Sequence, residues 1–178
     1  CTLRWLAGGA YQDICDLHGI HKSTCFEHMK QVLYAIDKAY DLPLMPMLKA
    51  RDMDALHCLA EAYDAKTHGV VSGCLGALDG LAVKIERRVV AGEANPSSYK
   101  VHKGFYALNC QVICDAHRRV LWLSAKTCGS THDSAALALT EMGELLQDPT
   151  HPLNNSDLWI AGDDAYVGPA NKTDSLLT

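Results

Sequence analysis

Apolar residues in the first forty positions recur at helical spacing: Leu3 and Leu6, then Ile14, Leu17 and Ile20, then Cys25, Met29, Val32 and Ile36, with polar residues between them. Gly8-Gly9 and Gly19 interrupt the pattern. It predicts a short helix, a second over Tyr11 to His18, a tight turn at Gly19-Ile20-His21, and a third helix over about residues 22–39. Two prolines three apart, Pro43 and Pro46, predict a linker over residues 41–50. Met53, Leu56, Leu59, Ala60 and Tyr63 then lie on one face of a helix over about residues 52–66.

From Val70 the period changes. Val83 and Ile85 alternate with polar or small neighbours, and strands are predicted over residues 74–86, 104–114 and 120–125. The short connection from Asp115 to Arg119 makes the latter two an antiparallel hairpin. Capping residues from Cys128 to Ser134 open an alanine- and leucine-rich helix through about Leu146. Leu158-Trp159-Ile160-Ala161 reads as a short buried strand running into Gly162-Asp163-Asp164-Ala165-Tyr166.

Three strands, a helix and a fourth strand predict an α/β fold with an RNase H-like mixed sheet, a β-β-β-α-β core incomplete at its C-terminus, preceded by an all-α, helix-turn-helix-like region. The expected divisions are 1–40 for the helical region, 41–69 for a linker and helix, and 70–178 for the sheet domain. With strands one and four parallel neighbours, Asp79 and Asp163 converge. Two adjacent carboxylates repel unless they share a proton or a cation, and such oxygen ligands suit Mg²⁺ or Mn²⁺. Gly76 and Gly80 flank Asp79, where they are expected to leave the backbone open to a ligand; Asp79-Gly80 equally suits a hairpin turn. In the helical region, Lys22, Ser23, Thr24, Glu27 and Lys30 face outward as the groove-facing side of a helix-turn-helix would, with His21 in the capping place. A plain helical hairpin satisfies the same spacing.

Charge sharpens this picture. The chain of 178 residues carries a net charge of -5, yet residues 84–126 hold eight basic side chains against three acidic ones. A basic middle beside a candidate acidic site suits a polyanionic substrate handled with cations, or simply a solvated surface. No apolar run approaches membrane-span length, so a soluble, intracellular protein is expected. The eight cysteines form no CxxC pair and read as reduced thiols. The chain starts at Cys1 and stops at Thr178 after a turn-rich stretch, as a piece of a longer protein would.

Four stretches in order carry a resemblance: Gly76-Ala77-Leu78-Asp79-Gly80, the segment from His102 to Asn109, Gly129-Ser130-Thr131-His132-Asp133-Ser134, and Gly162-Asp163-Asp164-Ala165-Tyr166. Together they resemble Harbinger-type DDE transposases and their domesticated nuclease-like relatives, over roughly residues 3–168. The resemblance implies that Asp79, Asp133 and Asp163 are catalytic and hold two divalent ions, Mg²⁺ or Mn²⁺, for hydrolysis and strand transfer at DNA phosphodiesters. It implies DNA as partner, contacted by Lys22, Ser23, Thr24, Lys30, Lys103 and His132, with a homo-oligomer or an accessory DNA-binding protein alongside, no membrane, and a nuclear location in a eukaryote. Leu81-Ala82 stands where the family has a polar pair, and Asp164 is an alternative ligand to Asp163. The family's final Glu is expected beyond Thr178, which leaves this polypeptide without a full triad and inactive by itself. The other readings are a domesticated descendant that binds DNA or protein without chemistry, and an unrelated helix-turn-helix regulator with an α/β ligand domain.

Overall fold

The computed structural model describes residues 1–166, of residues 88–89 the backbone alone, and the backbone of residues 176–177. The chain divides into two compact units, Cys1–Asp41 and Leu42–Thr178. Residues 167–175 and 178, the end of the expected sheet domain, lie outside the described residues.

The first unit contains α1 (Thr2–Leu6), α2 (Tyr11–His18) and α3 (Lys22–Ala39). Gly19 takes the left-handed conformation, φ 59°, that ends α2 and turns the chain within two residues. His21 caps α3: its Nδ1 accepts from the Ser23 N–H at 3.3 Å, the task of a Ser or Thr. Ile14, Cys25 and Met29 are buried at the centre of this unit.

In the second unit, α4 (Leu44–Ala50) occupies the stretch expected to be a linker. Pro43 is its N-cap and Pro46 lies in its first turn, where a missing N–H leaves no intrahelical bond unmade. The prolines therefore start a helix here rather than prevent one. α5 (Met53–Lys66) follows, capped by Asp52, whose Oδ1 accepts from the Ala55 N–H at 3.1 Å.

The sheet is mixed, in the order β3-β2-β1-β4-β5. β1 (Cys74–Ile85), β2 (Tyr106–Cys114) and β3 (Val120–Cys128) form an antiparallel meander. β4 (Trp159–Ala161) and β5 (Leu176–Leu177) add parallel on the other edge of β1. The single helix predicted after β3 is two, α6 (Asp133–Ala138) and α7 (Glu141–Gln147). Thr140 makes the break: its hydroxyl donates to the Leu137 carbonyl at 2.6 Å and accepts from the Gly143 N–H at 3.1 Å. One core, including Leu48, Leu56, Leu78, Ile113, Leu137 and Ile160, runs through the sheet and helices. All eight cysteines are free; Cys25, Cys74 and Cys110 are buried and Cys58 is exposed.

Candidate functional site

β1 carries Asp79 through the middle of the sheet, opposite Val112, with Gly80 opposite Gln111. Side chains alternate faces along a strand. Asp79 therefore shares a face with Ala77, Leu81 and Val83, all exposed, while Leu78, Gly80 and Ala82 point to the other. The Asp79 carboxylate is itself exposed, so it carries no burial cost. Its Oδ1 accepts the Gly80 N–H at 2.7 Å. Asp79-Gly80 lies within a continuous ladder, not at a hairpin tip.

Ala161 pairs with Ala77 across the parallel ladder. Two residues beyond these partners stand Asp79, within β1, and Asp163, just past the end of β4. Asp163 is exposed, and its Oδ1 accepts the Ala165 N–H at 3.0 Å, fixing the 3₁₀ turn Asp164–Tyr166. Tyr166 is 1% exposed and donates its hydroxyl proton to Gln111 Oε1 at 2.5 Å. Burial, then the negative charges of Asp133, Asp79 and Asp163, push this phenol well above its ordinary pKa. The charges of all three predicted acids thus act on one buried tyrosine.

Asp133 approaches from the opposite face of β1. Its Oδ1 accepts from Asn109 Nδ2 and Gln111 Nε2, both at 2.9 Å. Asn109 Nδ2 also donates to the Thr131 carbonyl at 2.8 Å, and Gln111 Nε2 to Asn109 Oδ1 at 2.7 Å. Every amide hydrogen of this buried pair is used, as burial of polar groups demands. A Cβ at Gly80 would come within 2.7 Å of Asp133 Cγ, and one at Gly76 within 2.5 Å of Ile113 Cγ2. The space that the sequence reading left to a ligand at these glycines is filled by the protein's own side chains.

As donors for a divalent ion, Asp79 and Asp163 fit: each is exposed and keeps one carboxylate oxygen that accepts nothing from the described residues, and such oxygens suit Mg²⁺ or Mn²⁺. Asp133 lies across β1 from Asp79. Among the described residues no three His, Cys, Asp or Glu side chains gather closely enough to hold a metal ion together.

Lys103 and His132 line a cavity of about 360 Å³ together with Gly80, Ala82, Phe105 and Asp133. Both are exposed; the His132 ring is braced by its helix start, Nδ1 lying 2.9 Å from Ser134 Oγ. In the helical unit, the Lys22 ammonium lies 4.8 Å from the centroid of the Tyr11 ring and 5.8 Å from that of Phe26, a cation–π seat. Ser23 Oγ is 2.9 Å from His21 Nδ1, and Thr24 and Lys30 are exposed.

Asn109, Gln111 and the anchoring role of Tyr166 were missed from sequence. The available signal was two amides at alternate positions of an otherwise apolar strand, Tyr106 to Cys114; two such groups on one face require partners.

Residues 78–173 match the family model described as DDE superfamily endonuclease. Over 97 residues, 54% of the chain, the sequence is 31% identical to the nuclease candidate HARBI1 of Xenopus laevis. It is 28% identical over 94 residues to the HARBI1 of Homo sapiens. These alignments span 26% and 25% of the two relatives' lengths. No solved structure matches the chain. Among the described residues no helix is long and apolar enough to cross a membrane.

Proposed function

The chain belongs to the DDE superfamily endonucleases, and on that premise we propose that it is part of a transposase-derived, divalent-metal-dependent DNA nuclease whose ions are held by Asp79 and Asp163. What supports this is the parallel pairing of β1 with β4, Ala77 opposite Ala161, two residues before each acid. The strand order and the parallel β1–β4 pair also favour an RNase H-like sheet over residues 70–178, with residues 41–69 as its helical lead-in. The left-handed Gly19 between α2 and α3 favours a helix-turn-helix reading of residues 1–40.

The chemistry that Mg²⁺ or Mn²⁺ supplies at such a pair is activation of a water and stabilisation of the leaving 3′ oxygen. The chain's own residues present and brace the carboxylates. The N–H groups of Gly80 and Ala165 each fix one oxygen, and Tyr166 ties the turn that carries Asp163 to Gln111 on β2. Asp163 rather than Asp164 is the ligand in this reading, because it is the residue in step with Asp79. For Asp133, read from sequence as a third ligand, we propose a place beside the substrate on the other face of β1. Lys103 and His132 contact phosphate, and Thr24 and Lys30 are the groove-facing residues of α3 most open to DNA. No Glu follows Glu144 in the sequence, and in this reading Asp79 and Asp163 act together with a further acid, in the nucleus of the host.

Calorimetric titration of the chain with Mn²⁺ tests the reading. Asp79→Asn and Asp163→Asn each weaken binding by tenfold or more, on the order of the 1.4 kcal/mol per tenfold expected for loss of a charged ligand, while Asp164→Asn leaves it unchanged. Equal affinity in wild type and in both first variants would overturn it.

A further inference from the structure

We propose that the cavity on the Gly80 face of β1 takes a single nucleotide displaced from the DNA strand, and that it prefers a base carrying an exocyclic amine. The proposal deepens the nuclease reading, on which it rests for DNA as the polymer.

Ala82, a small residue on the Gly80 face of β1, leaves the cavity floor open, and Asn109 closes it from β2. A volume of about 360 Å³ is at the lower end of small-ligand sites. Phe105 contributes a half-buried ring to the wall, and flat bases stack on such rings. His102 and Lys103 stand exposed at the lining, and Lys84 follows Ala82 on the same face and is exposed. These cations suit the phosphates on either side of one nucleotide.

Around Asp133 the wall offers an acceptor and no spare amide donor. All the side-chain amide hydrogens of Asn109 and Gln111 are already given to Asp133, to Thr131 and to each other. What remains is acceptor capacity: Asp133 Oδ2 accepts nothing from the described residues. An ionised oxygen beside a cavity selects a donor and rejects another acceptor. Cytosine offers its N4 amine where uracil offers a carbonyl oxygen, and uracil's own donor, N3–H, sits at the next ring position, so a base seated with position 4 against Asp133 is read as cytosine.

Fluorescence anisotropy with labelled single-stranded octamers, all deoxycytidine against all deoxyuridine, reads this directly on the full chain. The deoxycytidine strand is expected to bind about tenfold tighter, the discrimination of one good base contact. Asp133→Asn supplies the sharper readout. The amides of Asn109 and Gln111 hold the new side-chain oxygen toward themselves, turning its NH₂ group into the cavity, so the preference is expected to invert toward deoxyuridine. Ala82→Leu fills the floor and is expected to abolish the preference while phosphate contacts persist; near-ultraviolet circular dichroism checks that each variant is folded. Equal affinity of the two strands for wild type, or an undiminished deoxycytidine preference in a folded Ala82→Leu chain, overturns the proposal. Loss of Mn²⁺ binding bears on the other site: a chain that binds no Mn²⁺ yet prefers deoxycytidine sinks the nuclease reading and upholds the pocket, whereas Mn²⁺ binding with equal strand affinities does the reverse.

Discussion

A methyl group at position 80 has nowhere to go. Asp133 Cγ lies 2.7 Å from where it would sit, and the carboxylate is held there by two buried amides. Gly80→Ala is therefore expected to cost about 1–3 kcal/mol in urea denaturation, whereas Gly92→Ala, with nothing within 4 Å, changes stability by less than about 0.5 kcal/mol. Equal midpoints for the two would contradict the seating of Asp133. Tyr166 gives a second residue-scale outcome. Its phenol is raised by burial first and by three carboxylates next, and burial pushes Tyr63, which donates to the Cys114 carbonyl at 3.0 Å, up to about 12. In the unfolded chain these phenols ionise near pH 10, so above that pH the folded state holds more protons. The stability they contribute is full below about pH 10 and is lost as pH rises through the folded-state values. Denaturation midpoints followed from pH 9 to 12 should fall with a shallower slope in Tyr166→Phe than in wild type. Asp79 and Asp163 stood out in the sequence as candidates because each ends or crosses an apolar run. The network behind them was not, because Gln111, Asp133 and Tyr166 are far apart in the chain and only the folded sheet brings them together.

At the scale of elements, the meander was readable from alternation, and its hairpin from the short polar connection. The structure adds why that turn holds. Asp115, 4% exposed, accepts from the N–H groups of His117 and Arg119, both at 2.8 Å, and from Arg119 Nε at 2.6 Å. Burial would raise its carboxyl, but the bonds from Arg119 and His117 outweigh it and hold the pKa below the ordinary value. The resulting stability is complete above the unfolded-state value, near 4, and is lost as pH falls through the lower folded-state value. Asp115→Ala is expected to cost roughly 2–3 kcal/mol at pH 7, and measurably less at pH 2; the same loss at both would refute the ionic account. Two elements were misread for local reasons. Pro43 and Pro46 looked like breakers because the pattern alone does not say which residue starts a helix, and the α6–α7 break depends on a Thr140 hydroxyl that serves Leu137 on one side and Gly143 on the other.

For the whole molecule, the distribution of charge matters more than its sum. A chain of net charge -5 can attract a polyanion such as DNA only where its cations are concentrated. The logarithm of affinity for duplex DNA should therefore fall linearly with the logarithm of salt concentration. Lys103→Ala and Lys30→Ala should each reduce the slope by about 1 if each neutralises one phosphate. An unchanged slope in either variant would remove that lysine from the interface. The first compact unit ends at Asp41, and residues 44–50 form a helix whose Leu44 and Leu48 belong to the core of the sheet unit.

The strand order also carries a consequence in time. β1, β2 and β3 are joined in sequence and pair with their chain neighbours, so they close with little loss of chain entropy. β4 pairs with β1 only after α6 and α7 have been spanned, and during synthesis it leaves the ribosome when the meander is already exposed. The turn that carries Asp163 is thus placed at the end of folding, against a scaffold already formed, so a change in β4 is expected to act on the last step of assembly without disturbing the meander that precedes it.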